Sequence, residues 1–210
     1  MTQVIPTVIV IDDDEAVRGS LKLLFKSVNR PVVAYASAQE FLPRYVLDQP
    51  GCLVVDVRMP AMSGLELQRV LNLRGAMIPV IFISGHGDIS MAVEAMQHGA
   101  FDFLPKPFGD QELLDRVGRA LQRDADNRRQ VAQSDNIRAC FEVLTPRERD
   151  VLALVVVGKP NKIMAADLGV SQRTVEIHRA RVMEKMQAGS VAHLVRMMLE
   201  LEASTKKGLG

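Results

Sequence analysis

Apolar and polar positions alternate along residues 1–123 in two different rhythms. Short unbroken apolar runs occupy residues 8–11, 32–35, 52–55, 80–83 and 101–104, and each is bounded by polar or turn-forming residues. Runs of this length without polar alternation predict strands buried on both faces, as in a parallel sheet. The intervening segments carry helical spacing instead. Val17, Leu21, Leu24, Phe25 and Val28 fall on one helix face, and Ser37 followed by Glu40 has the spacing of a capping box opening a second helix. Residues 65–73, 89–97 and 110–123 complete the series, the last with Leu113, Leu114, Val117 and Leu121 facing inward. Five strands and five helices in strict alternation predict an α/β domain, doubly wound around a parallel five-stranded sheet of the flavodoxin-like kind.

The rhythm changes after residue 123. Residues 124–140 (DADNRRQVAQSDNIRAC) are polar and lack a persistent apolar face, which reads as a partly helical linker continuing from the fifth helix. Only helical periodicity follows. Thr145, Pro146 and Glu148 combine a capping residue, a proline at the first helical position and a carboxylate three residues after the cap. Helices fit residues 146–157, 161–168, 172–186 and 190–202, and the tail ASTKKGLG is expected to fray. The predicted organisation is therefore a domain over 1–123, a linker over 124–140, and a separate all-α domain over 141–210.

Charge sharpens the division. The chain of 210 residues is +1 overall. Residues 1–140 carry 15 Lys/Arg against 17 Asp/Glu, or −2, whereas residues 141–210 carry 11 against 8, or +3. The second part is thus the better suited to meet phosphates. With only two cysteines, Cys52 and Cys140, there is neither a disulfide framework nor metal-ligand spacing. The first residues do not have the pattern of a secretory leader, and no apolar run approaches the ~20 residues that span a bilayer. A cytoplasmic protein with no membrane partner is expected.

In an open parallel sheet, ligands bind beyond the carboxyl ends of the strands. There the first strand runs into Asp12-Asp13-Asp14-Glu15, the third ends in Asp56, the fourth in Ser84, and Lys106 lies just past the fifth. Singly these are ordinary: a terminal Ser is most often a turn residue and a lone Lys a surface charge. An Asp at the end of an apolar strand is costly unless paired or liganded. Together the carboxylates call for a cation, and hard oxygen ligands with room for water suit Mg²⁺. A carboxylate beside such an ion can attack phosphorus and form an acyl phosphate, with a lysine neutralising the transferring oxygens.

The motifs LVVDVRMPAMSG, FISGHGD and DFLPKPF, in this order, closely resemble those of receiver domains in two-component response regulators. The resemblance covers about residues 6–122. It implies that Asp56 is the phospho-acceptor and itself a Mg²⁺ ligand, that Asp13 is a second direct ligand with Asp12 assisting through water, and that the backbone carbonyl of Arg58 is a third. It further implies that Ser84 and Phe103 are a switch pair, that Lys106 contacts the phosphoryl group, and that the Lys106–Pro107 bond is cis. His86 and His98 gain no role and read as loop and surface residues.

In the second domain, the helix over 161–168, Gly169 and the Ser171-capped helix over 172–186 form a helix-turn-helix. Val175, Val182 and Met186 mark the buried side of its second helix. Arg173, Glu176, Ile177, Ala180, Arg181 and Glu184 form an exposed stripe for the major groove, where Arg reads guanine and Ile177 touches thymine methyls. Lys159, Lys162, Thr174, Arg179 and Lys185 lie nearby for phosphate positioning. The bland alternative is a solvated basic face. The sequence LTPRERDVLALVVVGKPNKIMAADLGVSQRTVEIHRARVMEKM resembles LuxR-type output domains, and the whole chain is similar to FixJ-like members of the FixJ/NarL response regulators. That resemblance implies phosphorylation by a sensor histidine kinase, homodimerisation through the receiver's fourth helix and fifth strand, promoter DNA as target, RNA polymerase as a further partner, and transcription activation. Leu194, Met197, Met198 and Leu201 on the last helix could pair two output domains or line the core of one. Two competing functions stand beside this one. A phosphatase of the haloacid dehalogenase type would place its nucleophile on the first strand in a D-x-D arrangement. A constitutive DNA-binding protein would not need Asp13, Asp56 and Lys106 together. The chain is not expected to be a dedicated enzyme, beyond slow loss of its own phosphoryl group.

Overall fold

The computed structural model describes residues 5–85 and 89–207, with side chains up to residue 203. His86 and the remainder of the GHGD motif up to Asp88 lie outside the described residues. The chain divides into two compact units, Met1–Arg128 and Arg129–Gly210.

The first unit is built on five parallel strands: β1 (Thr7–Ile11), β2 (Val32–Tyr35), β3 (Gly51–Asp56), β4 (Val80–Ser84) and β5 (Asp102–Pro105). Their order is β2-β1-β3-β4-β5, with Ile11 opposite Val55 and Asp56 opposite Ile83. Successive side chains on a strand point to opposite faces, and this sheet feeds two cores. Ile9, Ile11, Leu53, Val55 and Phe82 pack under Phe41 of α2 (Ala38–Phe41), Leu67 and Leu71 of α3 (Gly64–Leu73) and Ala95 of α4 (Ile89–Gln97). Val8, Val10, Cys52, Val54 and Ile83 pack under Leu21 and Phe25 of α1 (Glu15–Ser27) and Leu113, Val117 and Ala120 of α5 (Asp110–Glu142). Every residue of β3 is buried, so each large apolar side chain there contributes about 1.5–3 kcal/mol of burial.

Local chemistry sets the helix ends. Ser37 caps α2 by accepting from the Glu40 N–H at 3.2 Å. The Glu40 carboxylate reaches back one residue further than a capping box requires, to the Ala36 N–H at 3.0 Å. The helix stops after four residues, just before Pro43, which has no N–H to continue it. Val28, expected on the inward face of α1, is instead its C-cap residue and is exposed. Gln68 of α3 donates to the carbonyls of Ala95 and His98, and Asn72 donates to His98, so α3 satisfies the carbonyls that α4 leaves open at its C-terminus.

Residues 124–140, read from sequence as a partly helical linker, are helical throughout as part of α5. Asp124 is buried and accepts from the backbone N–H of Gly51 at 2.9 Å. Arg128 bonds Asp124 through Nε and the carbonyls of Asp48 and Gln49 through its two Nη atoms. Further along, Ile137 and Cys140 are buried in the core of the second unit. The segment shows no continuous apolar stripe because its two ends serve different neighbours, the first through charge and the second through apolar packing.

The second unit holds the end of α5 and four further helices: α6 (Pro146–Val156), α7 (Asn161–Leu168), α8 (Gln172–Lys185) and α9 (Val191–Lys207). Its core joins Val151, Leu152 and Val155 of α6, Met164 of α7, Val175 and Val182 of α8 with Met186 after it, and Leu194 and Met197 of α9. Met198 and Leu201 pack against the same cluster. The apolar stripe of α9 thus lines the core of its own unit. The expected fraying from residue 203 is corrected: backbone helix continues to Lys207, as the strong helix-forming residues around Glu202 and Ala203 favour.

Candidate functional site

The first site is assembled where the sheet changes direction. From β1 the chain crosses to β2 on one side and then to β3 on the other, which opens a crevice beyond the carboxyl ends of β1 and β3. Asp12 lies just past β1 and Asp56 ends β3; both are buried. Lys106, following β5, bridges them: its Nζ donates to Asp56 Oδ1 at 2.7 Å and to Asp12 Oδ2 at 2.9 Å. The remaining oxygens are oriented by the backbone. Asp56 Oδ2 accepts from the Arg58 N–H at 2.7 Å, and Asp12 Oδ1 accepts from the Asp14 N–H at 2.9 Å.

The titration of these groups follows from their surroundings. Burial pushes the Asp12 carboxyl above its ordinary value, against the hydrogen bonds from Lys106 and the Asp14 N–H that favour its charged form. Burial alone would lower the Lys106 ammonium; the hydrogen bonds it donates to Asp56 and Asp12 outweigh this and hold it above the ordinary lysine value. One ammonium therefore stands between two carboxylates in a partly desolvated crevice, a clamp for negative charge arriving at Asp56.

Other residues implied by the resemblance surround this triad. Asp13 is exposed beside Asp12, and Arg58 is exposed beside Asp56. Ser84 is buried at the end of β4, and its carbonyl accepts from the Lys106 N–H at 2.7 Å. Phe103 is half-buried against the core beneath α4. The Lys106–Pro107 peptide is cis. His98 is exposed at the end of α4.

Two contributors escaped the sequence reading. Arg18, in the first turns of α1, donates from Nη1 to the carbonyls of both Asp12 and Asp13, each at 2.8 Å. Gly64 opens α3 directly under Asp56, with its N–H bonded to the Val57 carbonyl at 3.0 Å. A Cβ at Gly64 would stand 2.4 Å from the Asp56 carbonyl oxygen. The MPAMSG motif held this signal, but only the fold shows what the glycine approaches.

A divalent cation can be tested against this donor set. Among the described residues no three His, Cys, Asp or Glu side chains are grouped tightly enough to hold a metal by themselves. The donors at the crevice are all oxygens, however, and two are buried carboxylates with a third at the rim. Mg²⁺ keeps several waters and takes only one or two protein carboxylates in such sites, so the residues fit it.

The second site lies on α8. Ser171 caps this helix through the Thr174 N–H at 3.1 Å, and Gly169 closes α7 in the left-handed conformation at φ 66°, giving the tight turn between α7 and α8. Val175 and Val182 are buried, while Arg173, Ile177, Ala180, Arg181 and Glu184 are exposed and Glu176 is half-buried. Lys162 is exposed on α7. Three of the basic residues expected near phosphates have partners within the unit. Lys185 donates to Glu148 Oε2 at 2.7 Å, Arg179 to Asn161 Oδ1 at 2.8 Å, and Lys159 to Asp167 at 2.7 Å. Thr174 shares a hydrogen bond with Ser171. Glu148 is 2% exposed and completes a capping box with Thr145. The hydrogen bond from Lys185, aided by the Thr145 N–H, holds its carboxyl down at about 2.

The geometry agrees with known proteins over nearly the whole chain. The family model described as "Response regulator receiver domain" matches residues 8–118, and that described as "Bacterial regulatory proteins, luxR family" matches residues 142–198. Nodulation protein W of Bradyrhizobium diazoefficiens is 50% identical over 190 residues, covering 90% of this chain and 84% of that protein. The transcriptional regulatory protein FixJ of Rhizobium meliloti is 47% identical over 193 residues, covering 92% and 95%. Among solved structures, the response regulator StyR superposes with a TM-score of 0.85 at 44% identity, covering 93% of this chain and 98% of that one. Full-length FixJ from B. japonicum gives a TM-score of 0.58 at 39% identity, covering 94% and 98%. With a receiver sheet whose rim carries the Asp12–Lys106–Asp56 cluster, followed in sequence by a helix-turn-helix of the LuxR type, this chain belongs to the FixJ/NarL family of two-component response regulators.

Proposed function

We propose that Asp56 accepts a phosphoryl group from a sensor histidine kinase and that this modification makes the chain dimerise, bind promoter DNA and activate transcription with RNA polymerase. The observation that carries the reading is the single Lys106 Nζ shared by Asp56 and Asp12, two carboxylates brought together from different strands. Asp13, Asp56 and the backbone carbonyl of Arg58 would hold Mg²⁺, with Asp12 assisting through water. When bound, that ion neutralises charge on the oxygens in flight. The chain's own residues do the rest. Asp56 Oδ1 bonds to phosphorus as the P–N bond to the kinase's phosphohistidine breaks and its imidazole leaves, while the Arg58 N–H fixes Oδ2. Lys106 exchanges its bond to the unmodified carboxylate for one to the incoming phosphoryl oxygen, and Ser84, at the end of the neighbouring strand, can then donate to the same group. Phe103 follows Ser84 as the half-buried partner of the switch.

The surfaces available to partners support the same reading. Ala16, Val17, Ser20 and Leu24 of α1 face Pro107 and Phe108 across a groove of about 650 Å³ that reaches Lys106, an approach to Asp56 suited to the kinase. On α4, Ile89, Val93 and Met96 are exposed apolar residues, fitting the dimer surface. In the second unit Arg173, Glu176, Ile177, Ala180 and Arg181 would face base edges, with Thr174, Lys162 and Arg179 nearer the phosphates. Lys185 is paired with Glu148 within the unit and would have to share that bond to reach a phosphate. No helix of the described residues is long and apolar enough to cross a membrane.

The deciding experiment is labelling of the full chain with acetyl phosphate and Mg²⁺. Asp56→Asn is expected to abolish both the label and phosphate-dependent dimerisation; undiminished labelling of that variant would overturn the assignment.

A further inference from the structure

Arg18 lies in none of the three motifs that mark the acceptor site, yet it makes two bonds to the segment that carries the proposed metal ligands. Its Nη1 donates to the carbonyl oxygens of Asp12 and Asp13, each at 2.8 Å, and its own N–H donates to the Asp14 carbonyl at 3.1 Å. The carbonyl of Asp12 is thereby bonded to α1, while its carboxylate reaches Lys106 and, through it, Asp56. The Asp12 carboxylate is held by Lys106 and the Asp14 N–H, and Asp14 caps α1; Arg18 is what ties the backbone between them, where three consecutive acidic residues repel one another. We propose that Arg18 is a positioning residue for the divalent cation, fixing the backbone of Asp12 and Asp13 so that their carboxylates are held toward the acceptor before the ion arrives.

A guanidinium near a cation site has an opposing effect, because its charge repels the ion. Two features of the structure reduce that repulsion. The guanidinium is engaged by two carbonyl oxygens, and the Glu40 carboxylate lies near enough to interact with it electrostatically. Glu40 is also paired with Arg44, so it offsets the Arg18 charge only in part. Positioning and repulsion predict opposite signs for the effect of removing Arg18, which makes the two separable.

The inference rests on the reading of Asp12 and Asp13 as metal ligands, and the test separates the two. Mn²⁺ binding to the full chain is followed by electron paramagnetic resonance of the free ion, with Mg²⁺ competing and no phosphoryl donor present. Arg18→Ala is expected to weaken binding about tenfold, the equivalent of ~1.4 kcal/mol, because the lost bonds act on the ligands' backbone and not on the ion itself. Arg18→Lys, which keeps the charge and can reach one carbonyl, should recover part of the loss. Acetyl-phosphate labelling of Arg18→Ala should fall at limiting Mg²⁺ and return as Mg²⁺ is raised. Unchanged or tighter Mn²⁺ binding by a folded Arg18→Ala chain overturns the proposal for Arg18 while leaving the metal site standing. Absence of Mn²⁺ binding by the unaltered chain overturns both.

Discussion

Gly64→Ala places one methyl group where the fold has no room for it. The added Cβ would meet the Asp56 carbonyl oxygen at 2.4 Å, about 1 Å short of the 3.4 Å at which ordinary contact begins, with Phe82 Cε1 and Val55 Cγ1 each at 3.0 Å. Neither side can retreat cheaply. The Gly64 N–H is bonded to the Val57 carbonyl and the start of α3 is held by the Ser63–Glu66 capping box. Asp56 sits in register with Ile83 of β4. Overpacking of this kind costs about 1–3 kcal/mol, against which the better helix propensity of alanine returns about 1 kcal/mol. Gly19 supplies the control: it is also helical, and nothing lies within 4 Å of where its added methyl group would stand, so Gly19→Ala should stabilise by roughly 0.4–1 kcal/mol. Denaturant unfolding of the full chain, with hydrogen exchange reporting on β3 amides, measures both. Because the displaced atom belongs to the acceptor residue, acetyl-phosphate labelling of Gly64→Ala should also slow by on the order of 10²-fold. A Gly64→Ala chain as stable as Gly19→Ala, and labelled at the parent rate, would refute the reasoning.

Four further outcomes are expected. The folded-state carboxyl of Glu148 is held at about 2, below the ordinary 4.5, so its contribution is fully present above pH 4.5 and is lost as pH falls toward 2. Glu148→Gln should therefore destabilise the second unit by about 1–2 kcal/mol at neutral pH, after allowance for solvent screening, and the difference from the parent should shrink in acid unfolding curves below pH 4.5. Arg181→Ala should weaken promoter binding by ~1–3 kcal/mol in a gel-shift titration at fixed salt and leave receiver labelling intact, whereas Lys162→Ala should reduce the slope of log affinity against log salt by about one. Asp124→Ala leaves the Gly51 N–H buried without its acceptor and should cost about 1–3 kcal/mol in thermal unfolding, with the loss concentrated at the entrance of β3.

What was legible in the sequence was whatever periodicity or a strand end could report. The five apolar runs map onto five parallel strands because strands buried on both faces leave no polar alternation to confuse them. Asp12, Asp56 and Lys106 were legible together because the fold class itself says that strand ends of one polarity share a rim. The partner of a side chain was harder to read. Lys185 follows Glu184 on an exposed-looking stretch of α8, and nothing in its neighbours signals that it turns to Glu148 on α6. Glu148 was legible as a cap because its partner is three residues away, and illegible as an ion-pair member because that partner is 37 residues away. The stripe of α9 was ambiguous for a related reason: apolar spacing says that a face is covered, and only the packing of Leu194 and Met197 against α6 and α8 says by what.

The attachment of Asp124 and Arg128 to the loop before β3 bears on where the chain can be cut. A fragment ending at residue 123, the boundary that periodicity suggests, would remove both side chains. The Gly51 N–H and the Asp48 and Gln49 carbonyls would lose their partners at the start of the strand whose other end is the phospho-acceptor. A fragment ending after Arg128 retains all of them. Limited proteolysis should respect the same line, sparing the bonds before Arg128 longer than the exposed helical stretch at 129–133, so that the trimmed receiver carries its clasp with it.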